Sequence, residues 1–379
     1  MSALALRTDA ANLGQGFPDD DGPEWIREVA VEAMRSGVNQ YPPGRGIPAL
    51  RQAIVEHQQH HYGMGLDSDT EVLVTTGATE AIASALLALT GPGDEVITLE
   101  PFYDSHAACI AMAGVDHITV PLVPHHDRFR LDVEALRAAV GPRTRAILVN
   151  TPHNPTGTVL NEHELRAIAE IAIQADAVVI TDEVYEHLVF DGVRHVPIAT
   201  LPGMRERTLT ISSSGKTFSL TGWKIGWITG PAELIDAVTA VKQFLTYTSG
   251  APFQPAIAQA LSDGSEDIAA LRESLRRRRD LLMDGLIGAG FSGLVRPEGT
   301  YFVCADASAF LSDEVPDGAA FARWLPEAVG VACVPLSAFC QAGSNTHDAL
   351  KNWVRFTFVK REDTLTTAIE RLSRLRGLR

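Results

Sequence analysis

A lysine in a turn of small residues is the feature of this sequence best suited to covalent chemistry. Lys216 stands in the segment ISSSGKTFSLTGWKIG (211–226), directly after a short apolar run. Its small neighbours let a bulky ligand approach the backbone closely. Lys224 supplies a second cation eight residues on, and Ser213 and Ser214 supply hydroxyls. Two cations with hydroxyls make a phosphate pocket, and a cation beside a lysine lowers its amine pKa toward a nucleophilic state. A second anion site is expected in TTGATEA (75–81), where a glycine opens an apolar helical run at 82–89. There the backbone N–H groups of Ala78 and Thr79 would face an anion at a helix N-terminus. Asp182 follows the β-branched run 177–181 in TDEVYEHLVF, and Tyr185, three residues on, would face the same side of a helical turn. Arg355 sits between apolar neighbours in NWVRFTFVK. A buried guanidinium is costly unless paired, and a carboxylate is its natural two-pronged partner.

These residues need a scaffold that brings strand ends together. The runs 95–99, 146–149, 177–181, 208–211 and 225–229 are short, apolar and rich in β-branched residues. Between them lie amphipathic stretches such as EHELRAIAEIAI (162–173), with apolar residues three and four apart. Strand and helix alternating in this way predict an α/β fold with a mostly parallel sheet. Ligands of such sheets bind beyond the carboxyl ends of the strands, where the motifs above fall. At 266–290 a long charged helix interrupts the pattern, and scattered strands and helices follow. The expected division is a large domain over 38–265 and a smaller α+β domain made of 1–37 and 266–379.

The 379 residues are 45% hydrophobic and 21% charged, ordinary values for a globular chain. The formal net charge of -15 argues against nucleic acid or an anionic membrane as partner, since both reward basic patches. The one dense basic run, Arg276 to Arg279, reads as a solvated helix face. Four scattered cysteines show no CxxC pair and no metal-like spacing, so no metal is expected and the thiols read as buried or free in a reducing compartment. No apolar run approaches the ~20 residues of a membrane span. The first residues lack a basic region followed by an apolar stretch, so no signal peptide is expected and the location reads as cytoplasmic.

The string SxxGKTFSxTGWKxGW resembles the Schiff-base segment of the class I/II aminotransferases of pyridoxal 5′-phosphate (PLP) fold type I, and the resemblance runs from Asn12 to the C-terminal helix. It implies PLP as cofactor, with Lys216 as its covalent anchor and the catalytic proton carrier. It implies that Ala78, Thr79, Ser213 and Lys224 hold the phosphate, joined by Tyr41 of NQYPPGRG from a neighbouring subunit. A homodimer with shared sites follows. Tyr103 in EPFYDS would stack on the pyridine ring, Asp182 would pair with its nitrogen, and Asn154 (in NTPHNPTG) and Tyr185 would bond its phenolic oxygen. Arg355, Asn154 and Gly16 would receive the substrate. The reaction implied is amino transfer from an amino acid to a 2-oxo acid. The nearest branch acts on N-succinyl-diaminopimelate, methionine, glutamine, kynurenine or aromatic amino acids. A carbon–sulfur β-lyase with the same site is the alternative. A DNA-binding regulator with an aminotransferase-like domain is not expected, because the substrate-glycine motif begins by Asn12. No second arginine matches the side-chain carboxylate grip of aspartate-type enzymes; Arg45, near Tyr41, reads as a solvated loop residue.

Overall fold

Eight strands form the main sheet of the computed structural model, which describes residues 2–125 and 128–377. Their spatial order is Val72–Thr75, Gly226–Thr229, Thr208–Ser213, Val178–Asp182, Thr144–Asn150, Glu95–Glu100, Asp116–His125 and Arg128–Leu131. The four pairings in the middle of the sheet are parallel, and the other three are antiparallel. The central strands are buried along nearly their whole length, as expected when helices cover both faces. Their largely β-branched, apolar composition follows from that double burial, with Arg145 near one strand start and Asp182 at a strand end.

Helix starts and stops are visible in the chain. Asn161 and Glu164 form a reciprocal capping box at the head of the helix Glu162–Gln174. Gly290, left-handed at φ 105°, ends the 25-residue helix Ser265–Ala289. The helix read at 82–89 starts earlier, at Gly77, so that the whole GATEA segment is helical. The segment after Asp182 is not a helix but a chain of turns. Tyr185 therefore reaches the site through turn geometry rather than through helical i, i+3 spacing.

A four-stranded antiparallel sheet lies beyond the long helix, in the order Gly293–Val295, Phe302–Asp306, Trp353–Thr357 and Val334–Pro335. The N-terminal strand Ala11–Asn12 pairs in parallel with Val331–Ala332. The helix Glu24–Arg35 behaves differently. Its Ile26 and Ala30 bury with Leu50, Ile54 and Ile257, on the side of the large sheet. Grouping all of 1–37 with the smaller unit is corrected at this helix, whose apolar face matches the helix Phe253–Asp263 instead. The basic run also departs from a solvated face. Arg276 and Arg277 pair with Glu273 at the surface, whereas Arg279 is fully buried against Asp191 and the Pro297 carbonyl. Cys109, Cys304 and Cys333 are buried free thiols, and Cys340 is half-buried. No helix among the described residues is long and apolar enough to cross a membrane.

Candidate active site

A cavity of about 220 Å³ opens at the carboxyl ends of the central strands, between the large sheet and the small one. Two strand ends, one helix start and the middle of a strand from the small sheet supply its chemistry. The strand Thr208–Ser213 runs into the one-turn helix Ser214–Thr217, which presents Lys216. Asp182 is the last residue of its strand, and the helix Gly77–Leu89 points its first turn into the cavity. From the opposite side, Arg355 projects from the middle of the strand Trp353–Thr357.

One end of the cavity is built for a dianion. The head of the helix Gly77–Leu89 has no side-chain cap, which leaves first-turn N–H groups, including those of Ala78 and Thr79, for a ligand. Lys224 stands over this turn, and a Cβ on Gly77 would lie 3.2 Å from its Nζ. Gly226 is needed for the same packing, because a Cβ there would come within 2.8 Å of the Gly77 backbone. Ser213 Oγ lines the same end and accepts a 3.3 Å bond from Gly215 N–H.

The middle of the cavity holds a buried carboxylate. Asp182 Oδ2 lies 3.1 Å from His106 Nε2, and its Oδ1 accepts from the Val184 N–H. The Asn150 amide donates to the Asp182 carbonyl at 2.8 Å, and its Oδ1 accepts from the Asn154 N–H at 2.7 Å. Asp182 and Asn154 are thus set by one hydrogen-bonded chain. Tyr103 precedes the helix Asp104–Ala113 and packs edge-on to His106. Tyr185 is buried with its ring perpendicular to that of Tyr301, and burial pushes its phenol well above the ordinary value.

Lys216 departs from the expectation in one respect. Its Nζ donates to the Tyr301 hydroxyl at 3.0 Å, which in turn donates to the Gly16 carbonyl at 2.7 Å. Burial alone pushes the amine down, but Tyr301, Tyr103 and Asp182 outweigh it and hold the free amine above its usual value. The lowering anticipated from Lys224 does not occur, because Lys224 faces the helix start while Lys216 faces oxygen atoms.

Arg355 is the other buried cation. Its guanidinium is sandwiched by Phe302 and Phe339, at 3.9 and 4.5 Å from the ring centroids. Nη1 donates to Asn154 Oδ1 at 2.7 Å and Nη2 to the Gly14 carbonyl at 3.1 Å, while buried Nε has no partner. Among the described residues it forms no ion pair with a carboxylate. A buried guanidinium held by neutral groups is poised for a carboxylate brought by a ligand.

All but two of the residues offered for the site from sequence line this cavity; Ser214 is buried and donates its hydroxyl to the Ile225 carbonyl instead. Tyr41 also lies outside it; its residue is 84% exposed and its ring touches Tyr247. Gly16 has a packing reason as well as an access reason, since a Cβ would meet the Phe302 ring at 2.5 Å. Arg45 is tied to Asp236 and to the Asp69 carbonyl, away from the cavity. Tyr301, Phe302 and His106 were missed. The string EGTYF is the signal in the sequence for the first two, and the structure places its Thr300 at φ 66°. His106 had none beyond its place one turn after Tyr103.

A phosphate cradle, a lysine, a buried carboxylate facing the space between them and a guanidinium without a counter-charge among the described residues form a matched donor set for PLP and an amino acid. This is the site of a fold type I PLP enzyme. The family profile for aminotransferase class I and II matches residues 8–372, and the chain belongs to that family. It is 58% identical over 377 residues to a probable N-succinyldiaminopimelate aminotransferase of Mycobacterium tuberculosis, covering 98% of this chain and 94% of that one. It is 40% identical to a methionine aminotransferase of Escherichia coli, covering 99% and 94%. The solved structure of N-succinyldiaminopimelate aminotransferase from Mycobacterium tuberculosis superposes with a TM-score of 0.95 at 57% identity, covering 99% and 96%. The protein is a PLP-dependent aminotransferase, and these matches favour amino transfer over carbon–sulfur lysis.

Proposed function

We propose that this enzyme transfers the amino group of N-succinyl-LL-2,6-diaminopimelate to 2-oxoglutarate, with Arg355 receiving the α-carboxylate of both. The uncompensated Arg355 guanidinium carries the reading of an amino acid and oxo acid site. The 58% identical relative supports the choice of donor.

When bound, PLP supplies an electrophilic carbon for the amino group and a ring that accepts the electron pair of the broken C–H bond. The protein's residues do the rest. Lys216 anchors the cofactor covalently, and its freed amine carries the α-proton from one carbon to the other. Tyr301, which accepts from the Lys216 amine at 3.0 Å in the structure, would orient it. Asp182 would hold a proton on the pyridine nitrogen, and His106, 3.1 Å away, orients Asp182. Tyr185 and the Asn154 amide would hold the phenolic oxygen, and Tyr103 would cover the ring. Lys224, Ser213 and the N–H groups of Ala78 and Thr79 bind the phosphate.

The active unit in this reading is a cytoplasmic homodimer. The exposed rings of Tyr41, Tyr247 and Phe244 lie on segments that contact each other or adjoin in sequence, a surface suited to a second copy. The two-unit division also stands as part of the reading, with 38–265 and the helix Glu24–Arg35 on one side and the remaining N-terminal residues with 266–379 on the other.

The test is a donor panel with 2-oxoglutarate as acceptor, comparing N-succinyl-LL-2,6-diaminopimelate with methionine, glutamine, kynurenine and phenylalanine. The succinylated donor should have the highest kcat/KM; a higher value for any other donor overturns the substrate assignment. Borohydride treatment should fix the cofactor to the peptide containing Lys216. Recovery on another lysine would overturn that role.

A further inference from the structure

Three imidazoles converge outside the cavity, where the helix Pro48–Tyr62 meets the turns after Asp182. His57 and His61 are four residues apart on that helix and share a face. His187, 130 residues from His57 in sequence, places its Nε2 only 2.8 Å from the His57 Nε2. The ring centroids are 4.5 to 4.8 Å apart, and one nitrogen from each ring lies within 4.8 Å of the others. His57 and His187 are buried, whereas His61 is exposed and leaves a route from solvent.

A second observation points to a cation at this place. Glu186 is 3% exposed and accepts a bond from Ser212 Oγ, yet it forms no ion pair among the described residues. Its charge is felt at His57, His61 and the Tyr62 hydroxyl. The opposing charge is Arg272, which acts on His61 and His187 but is exposed and therefore screened by solvent. The Glu186 carboxyl, which also bonds the Tyr62 hydroxyl, thus lies beside the three imidazoles.

We propose that His57, His61 and His187 bind a divalent transition-metal ion of the zinc class, with Glu186 supplying the neutralising charge. Imidazole nitrogens suit Zn²⁺, and three protein ligands with a water in the fourth position make a common set. Zn–N bonds of about 2.0–2.1 Å put tetrahedral ligand pairs roughly 3.3 Å apart. The 2.8 Å pair must therefore open slightly and the exposed His61 ring must swing inward, both small side-chain motions. The ion would tie the helix Pro48–Tyr62 to the segment carrying Asp182 and Tyr185. The sequence shows no finger-like spacing because His187 joins the other two only through the fold.

Metal-free holoenzyme, with any affinity tag removed, is titrated with Co²⁺ and then competed with Zn²⁺. The expected result is one ion per chain, an intense visible ligand-field band of a tetrahedral nitrogen site, and no change in the cofactor's own absorbance. His61→Ala should weaken Co²⁺ binding at least about tenfold while leaving metal-free melting temperature and amino transfer unchanged. His57→Gln should do the same more severely. If the buried substitution prevents folding, His61→Ala decides the matter alone, since that side chain is exposed. Absence of the band, or binding that His61→Ala leaves unaltered, overturns the proposal.

Discussion

The Lys216 amine and the Tyr301 hydroxyl lie 3.0 Å apart, and the hydroxyl is itself fixed by donating to the Gly16 carbonyl. Lys216 follows a strand of the large sheet and Tyr301 immediately precedes a strand of the small one, 85 positions apart. In the proposed mechanism the Lys216 amine is thus aimed by a group that adjoins the small sheet.

Tyr301→Phe tests this link. The phenol raises the pKa of the free amine, so its loss should lower that pKa. A base of lower pKa is unprotonated from a lower pH, so the acid limb of kcat against pH should move to lower pH. At the optimum kcat should fall about tenfold, the worth of one positioning hydrogen bond of about 1–1.5 kcal/mol. A merely structural role would lower kcat without moving the limb.

Arg355→Lys keeps the charge but loses the planar fork and the stacking between Phe302 and Phe339. Breaking such a charge-assisted pair costs about 2–3 kcal/mol, on the order of 30- to 150-fold. The loss should appear in apparent affinity for amino and oxo acids alike, measured by single-turnover titration. Normal affinity for both would place the carboxylate clamp elsewhere.

Asp182→Ala should show the opposite split, with kcat falling more than substrate affinity, because its charge matters most as electrons move into the ring. His106→Phe, which removes the 3.1 Å partner of Asp182, should lower kcat in the same direction by about ten- to a hundredfold. Equal losses in kcat and affinity would contradict the ring-nitrogen role.

Mixed dimers test the reach of Tyr41. Combining Tyr41→Phe subunits with Lys216→Ala subunits creates heterodimers in which one site carries both changes and the other neither. About half the wild-type activity should return. No recovery above the level of the two homodimers means that Tyr41 serves its own subunit or none.

Burial holds the His153 imidazole down at about 3, with Nδ1 beside the Thr156 hydroxyl. The unfolded chain takes up that proton near pH 6.5, and the folded chain does not. Stability is therefore fully present above about pH 6.5 and is lost as pH falls toward 3, by about 2 kcal/mol between pH 6.5 and 5. His153→Asn should show a smaller drop in Tm across that interval, by on the order of 3 °C. An unchanged drop would mean that other groups carry the acid sensitivity.

The sequence by itself determined which side chains could do chemistry and on what kind of scaffold. The β-branched runs and amphipathic helices are local patterns, and Lys216, Asp182 and Arg355 sit in strings whose residue types are legible without contacts. Local patterns miss what contacts decide. Whether TDEVYEH forms a helix or turns depends on where Tyr185 and His187 find partners, and helical spacing carried no such information. The helix Glu24–Arg35 shows an apolar face in sequence, but only packing assigns that face to the large sheet. The sign of the Lys216 shift followed from neighbours too, since Tyr301 lies close in space and far along the chain. Electrostatics and burial depend on distances between segments, and a linear string holds no such distances. That is why the residues of the site could be named early while its charge balance, and the histidine cluster beside it, appeared only in three dimensions.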